Sequence, residues 1–207
     1  MFKFRISKQF KNLFRLQLTS STENDYLNTC ISEYNLFQNF IKTPKTILEL
    51  GCGLGRMSIF LNSQLQNSDI HYILADSTSN VKIPSYGWNA NEGYYNDLNL
   101  TELFSKNHGM ENFEIFDLKN DNIERLNDID LIMSFLSVGF HYPIENYIDS
   151  LLKISSENCI MVFGIRRGRY SENNFKDHFK NIQIIENTTL FGGKRIKEDI
   201  LILEDKK

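Results

Sequence analysis

Along this chain, apolar residues recur either every three to four positions or in short unbroken runs. Tyr26, Leu27, Cys30, Ile31, Tyr34, Phe37, Phe40 and Ile41 follow the first spacing, which predicts a helix from Thr22 to Ile41, capped by Thr22 or Ser21 and ended by Pro44. Thr46–Leu50 then reads as a short buried strand. Helical stretches are expected at Leu54–Gln66, Asp97–Lys106, Ile144–Ile154 and, more polar, Ser171–Phe179. Between them lie strand-like runs at Ile70–Ala75, Phe113–Phe116, Ile129–Ser134 and Cys159–Ile165. Strands alternating with helices over connections of this length predict an α/β fold, a parallel sheet covered on both faces. The series closes differently, because Ile182–Glu186 and Ile196–Leu203 flank a loop holding Gly192 and Gly193. That is a hairpin, so the last strand should run antiparallel.

The first 18 residues have their own pattern. Phe2, Phe4, Phe10, Phe14 and Leu18 are interleaved with Lys3, Arg5, Lys8, Lys11 and Arg15, and no acid is present. A small-residue cleavage site and an unbroken apolar stretch are lacking, which argues against a secretory signal. Two readings stand: an arm packed on the domain with its charges in water, or a contact with an acidic partner or a membrane surface. Residues 1–44 are expected to pack, as basic arm and helix, on a domain formed by residues 45–207.

Composition narrows the classes. With 23 Lys and Arg against 26 Asp and Glu, the formal net charge is −3, which gives no global case for a nucleic-acid partner. Cys30, Cys52 and Cys159 are odd in number and far apart, which suits a reducing, cytoplasmic setting better than disulfides. His71, His108, His141 and His178 form no i, i+4 pair, and no metal is expected. No apolar run approaches the roughly 20 residues that cross a bilayer.

The most informative segment is Glu49-Leu50-Gly51-Cys52-Gly53-Leu54-Gly55-Arg56. A strand delivers the chain into a glycine turn at a helix N-terminus, where a ligand can approach the backbone. The dinucleotide pattern G-x-G-x-x-G would need glycine at position 56, which is Arg56. The spelling acidic-x-G-x-G-x-G instead resembles the first motif of class I S-adenosylmethionine-dependent methyltransferases. That resemblance implies S-adenosylmethionine as cofactor and a Rossmann-like, doubly wound sheet of seven strands, the seventh antiparallel and hairpinned to the sixth. It covers roughly residues 45–205.

By the resemblance, Gly51, Gly53 and Gly55 pass close to the methionine portion, and Glu49 acts on its ammonium end. Asp76, 21 residues past Gly55 at the end of the second strand, takes the ribose hydroxyls. Asp117 stands near the adenine amino group, with Phe116 as ring contact; read from the residues alone, Asp117 serves equally as a turn or cap. Ser134, at the end of the fourth strand, joins the cofactor set.

A methyl acceptor should meet the loops after the fourth and fifth strands. The loop Ser134–Pro143 lacks the D/N-P-P-Y/F found in many enzymes that methylate ring nitrogens or amides. It offers His141, which either removes a proton from an acceptor hydroxyl or is merely hydrogen-bonded within the loop, and Tyr142 as a substrate contact. The G-F-H-Y-P wording loosely resembles methyltransferases associated with bacterial sugar or surface-glycan loci. Arg166, Arg167 and Arg169 offer a grip for phosphate or carboxylate, or simply a solvated basic loop. Trp88, in a loop rich in glycine, asparagine and aromatics, either stacks on a sugar ring or fills the core. The expectation is methyl transfer to a small acceptor, a hydroxyl of a sugar-like or anionic molecule. A protein- or RNA-directed methyltransferase and a noncatalytic cofactor-binding subunit are the alternatives.

Overall fold

Continuous apolar runs are buried on both sides when they form central strands of a sheet, and the strands here follow that rule. The computed structural model describes residues 2–11, 13–14, 22–78, 96–188, 190–191, 194–195 and 198–207. Its principal strands are β1 (Thr46–Leu50), β2 (His71–Asp76), β3 (Phe113–Asp117), β4 (Ile129–Ser134), β5 (Ser155–Arg166), β6 (Phe179–Ile185) and β7 (Glu198–Lys206). They form one sheet in the order β3-β2-β1-β4-β5-β7-β6. β1 to β5 pair in parallel, and β7 inserts antiparallel between β5 and β6. The expected Rossmann-like seven-stranded sheet with an antiparallel last strand is therefore present.

Alternation along each strand divides the core in two. Ile47, Leu131, Met133, Ile160, Val162, Ile200 and Ile202 point to one face. Leu48, Leu50, Ile132, Met161, Phe163, Leu201 and Leu203 point to the other. The first face is covered by helices α1 (Glu23–Phe37), α2 (Arg56–Leu65) and α3 (Leu98–Asn107) through residues such as Tyr26, Met57 and Phe104. The second is covered by α4 (Ile148–Ile154) through Leu151 and Ile154. The N-terminal segment joins the first face: Phe4, Ile6, Phe10 and Phe14 are buried while Lys3, Arg5, Lys8 and Lys11 are exposed. Phe4 lies 4.7 Å from the Tyr26 ring, and Arg5 N donates to His108 Nε2 at 2.9 Å.

Several boundaries move for identifiable reasons. Thr22 caps α1 by accepting from Asp25 N at 3.1 Å, but the helix ends at Phe37, before Pro44 can act. α2 starts at Arg56 rather than Leu54, because Gly55 has φ +75° and cannot be a helical residue. The expected helix Ile144–Ile154 is split into a 3-10 turn at Ile144–Asn146 and α4, with Tyr147 at φ −120° between them. The expected polar helix Ser171–Phe179 is absent. Only a 3-10 turn, Glu172–Asn174, closed by a Ser171/Asn174 capping box, precedes β6, where Phe179 is already a buried strand residue. The last strand is described from Glu198; Gly192, Gly193 and Ile196 lie outside the described residues. Among the described residues no helix is long and apolar enough to cross a membrane.

Candidate functional site

The carboxyl ends of β1, β2 and β3 adjoin, and the turn after β1 rises over that edge. Its glycines have φ of +61° (Gly51), +56° (Gly53) and +75° (Gly55). At Gly51 two demands coincide: the left-handed backbone, and a side chain so close that a Cβ would collide with Ser137 Oγ. The turn is pinned from three sides. Cys52 N donates to Ala75 O at 3.2 Å, Gly53 N to Asp76 Oδ2 at 2.8 Å, and Gly53 O accepts from Thr101 Oγ1 at 2.6 Å and Asn96 Nδ2 at 3.0 Å.

Asp76 is nearly buried, and burial pushes its carboxyl up to about 6. Its Oδ1 accepts from Ser77 N at 2.7 Å and the Asn96 side chain also bonds the carboxylate, which leaves it an acceptor position beyond these three. Beside it, the Ser77 hydroxyl is buried and has no hydrogen-bond partner among the described residues. A buried hydroxyl left unmatched is costly unless a ligand completes it. A carboxylate with an acceptor position left, next to an orphaned hydroxyl, offers one partner to each hydroxyl of a vicinal diol, so the edge of β2 could take the ribose of S-adenosylmethionine. Asp117 stands level with Asp76 in the β2–β3 register. Its oxygens accept from Lys119 N at 3.0 Å and Asn120 Nδ2 at 2.6 Å, as in the turn reading.

Three of the residues expected at the cofactor make contacts within the protein. Glu49 Oε2 accepts from Ser58 N at 2.9 Å and Ser58 Oγ at 2.6 Å, tying β1 to the first turn of α2, and burial pushes its carboxyl up to about 7. Phe116 is a core residue of the α4 face, fully buried, with the Arg125 guanidinium 4.8 Å from its ring centre. Ser134 Oγ donates to Leu50 O at 2.8 Å and accepts from Val138 N at 3.0 Å, which fastens the β4 loop to the end of β1.

The loop after β4 is folded on itself. Ser137 O accepts from His141 N at 2.7 Å, Phe140 N at 3.1 Å and Tyr142 N at 3.2 Å, and Gly139 N donates to Tyr142 O at 2.7 Å. His141 and Tyr142 are half-buried on this loop, the His141 ring edge-on to Phe140 at 5.1 Å. Arg166 N donates to Gly139 O at 3.1 Å, its guanidinium lies 5.0 Å from the Phe140 ring centre, and its Nε is buried without a hydrogen-bond partner among the described residues. Arg167 departs from the expected anion grip. Its guanidinium is engaged by Asp199 at 2.9 Å and Glu186 at 2.9 Å and donates to Asn187 O at 2.7 Å. Trp88 lies outside the described residues.

The sequence reading missed Asn96, Thr101, Ser77 and a buried charge group. Arg56 Nη1 and Nη2 reach Glu33 at 2.5 and 2.7 Å, with Phe135 and Cys30 beside the guanidinium and Glu198 close by. The one usable signal was the ionic residue directly after Gly55, where the helix must turn inward.

No protein-family model matches the chain, and no curated protein matches its sequence. Solved structures do match it. One is a protein of Nostoc punctiforme described as a candidate O-methyltransferase, with TM-score 0.57 and 11% identity over 87% of this chain. This chain spans just over half, 56%, of that protein's length. A second is the plantazolicin methyltransferase BpumL in complex with SAH, with TM-score 0.56 and 15% identity over 96% of this chain and 91% of that one. The third is a precorrin-6y C5,15-methyltransferase of Geobacter metallireducens, with TM-score 0.53 and 11% identity over 96% and 92%. At this level of identity the likeness establishes the fold, which this chain has in common with methyltransferases of differing acceptors.

Proposed function

We propose that the protein is an S-adenosylmethionine-dependent methyltransferase acting on the hydroxyl of a small, sugar-like or anionic acceptor. The observation that carries this reading is the glycine turn pinned to Asp76, with the orphaned Ser77 hydroxyl at the same strand end. Asp76 and Ser77 would hold the ribose, Gly51, Gly53 and Gly55 would admit the methionine portion, and Asp117 would meet the adenine side. The bound cofactor supplies an electrophilic methyl on a sulfonium. This chain's contribution is alignment of the acceptor and removal of its proton, the latter by His141. Arg166, with an unmatched buried Nε at the end of β5, is better placed than Arg167 for an anionic group, since Arg167 is held by acids. Residues 1–44 belong with this unit, supported by the burial of Phe4, Phe10 and Phe14 in the core that α2 and α3 share. The free, buried thiols support a reducing, cytoplasmic setting.

Calorimetry with S-adenosylhomocysteine tests the cofactor half. Binding by the wild type and a weakening of about tenfold or more in Asp76→Ala are expected, and a wild type that binds neither cofactor nor product would discard the proposal. A labelled-methyl assay over phosphorylated and nucleotide-linked sugars tests the acceptor half, and transfer confined to protein or RNA would redirect it.

A further inference from the structure

The glycine turn is flanked by more buried acid than it has cation to match. Glu49 precedes Gly51 by two residues, Arg56 follows Gly55 directly, α1 contributes Glu33 and β7 contributes Glu198. Glu33 and Glu198 are fully buried and Glu49 nearly so. The Arg56 guanidinium is taken up by Glu33 through both terminal nitrogens. Glu198 lies flat on β5 where Gly164 makes room, since a Cβ there would collide with its carboxylate. Its Oε1 accepts from Leu136 N at 3.1 Å, and its Oε2 is buried with no hydrogen-bond donor among the described residues. Burial first, and then the neighbouring Glu33 charge, hold the Glu198 carboxyl well above the usual carboxylate range.

Three carboxyls and one guanidinium would leave two uncompensated charges in a buried space if all were ionised, so the group holds protons at neutral pH. The other titratable groups facing it are Tyr26 and Cys30 on α1, Cys52 in the turn and Asp76 on β2. Burial raises all of them, and as phenol, thiols and carboxyl they can supply no positive charge. Arg166, paired in register with Glu198, directs its guanidinium to Phe140 instead.

Resting on the cofactor reading above, we propose that this acid group makes the turn distinguish the cationic cofactor from its neutral product, a sulfonium expelling a proton that the product leaves in place. A fixed positive charge favours the ionised form of nearby carboxyls, whereas a thioether does not. By linkage, affinity for S-adenosylmethionine rises with pH by up to tenfold per unit while the proton is still held, and affinity for S-adenosylhomocysteine stays level. Product release after transfer is thereby eased, because the re-protonated site has lost its preference for the occupant.

Titration calorimetry of the full chain at pH 7, in phosphate and in Tris, counts protons from the difference in apparent heat. Close to one proton released with S-adenosylmethionine and none with S-adenosylhomocysteine is expected. In Glu198→Gln the release should shrink while the product still binds. Equal proton counts for the two ligands, zero included, would overturn the inference and leave the cofactor reading standing. Binding of neither ligand would remove that reading and this inference with it. The wild-type comparison decides the matter even if the variant does not fold.

Discussion

On the β1–β2 side of the carboxyl edge, the turn is held through one residue's backbone: Gly53 N meets Asp76, and Gly53 O meets Asn96 and Thr101. On the β4–β5 side, the loop after Ser134 is held by contacts spread along its length. Leu136 N donates to Glu198, Ile144 N to the Tyr170 hydroxyl at 3.0 Å, and Gly139 O accepts from Arg166 N. A turn whose restraints are backbone groups and short side chains leaves little room for other sequences. A loop restrained by distributed contacts can be rebuilt piece by piece, which is the behaviour expected where acceptors differ and the cofactor does not.

Arg56 joins the two sides, so its removal should do most to break the contrast. Arg56→Ala leaves Glu33 buried and unpaired and should cost about 3–5 kcal/mol in urea unfolding. A cost below about 1 kcal/mol would mean that the sides are independent. His141→Ala tests whether the β4 loop carries chemistry: methyl transfer should fall about 10²–10⁴-fold with cofactor affinity unchanged, and undiminished turnover across pH 6–9 would leave His141 a loop residue. Gly51→Ala strains the backbone and drives a methyl into Ser137, where the two sides touch. It should cost about 2–4 kcal/mol by the same unfolding measurement.

A smaller effect comes from pH. Glu49 keeps its proton up to about pH 7 in the folded chain but ionises near 4.3 when unfolded, so its contribution is full in acid and fades as pH rises through 7. Asp76, pushed up to about 6, acts in the same direction. Stability should therefore increase by roughly 2 kcal/mol between pH 7.5 and 5.5, against any opposing groups, and Glu49→Gln should flatten the slope in thermal melts. Asp76→Ala confines its effect to the β1–β2 side, with cofactor binding weakened about tenfold or more by calorimetry.

The contrast also explains what could be read from residues alone. The succession of strands along the chain, the glycine turn and the strand-end acids were legible because each is a local pattern of apolar runs, breakers and charge. Phe116 and Ser134 were placed on the right strands, but their contacts within the protein were not legible, since a strand end does not reveal which face a side chain takes or which backbone atom a hydroxyl meets. The segment from Ser171 to Phe179 mixes polar residues at helix-like spacing, and only pairing with β7 reveals the strand start at Phe179. Glu33, Arg56 and Glu198 are scattered along the chain and each resembles a solvated surface charge. Nothing short of the fold brings them together.

The strand order carries a consequence for how the molecule is made. Of the seven strands, β7 is the last to be synthesised, yet it occupies an interior place, bonded to β5 on one side and β6 on the other. Until it emerges, a nascent chain presents an open edge at β5, and β6 has no partner to align it. Completion of the sheet is thus a late, long-range event. It asks the growing polypeptide to keep Phe163 and Ile165 out of contact with other chains until Leu201 and Leu203 arrive.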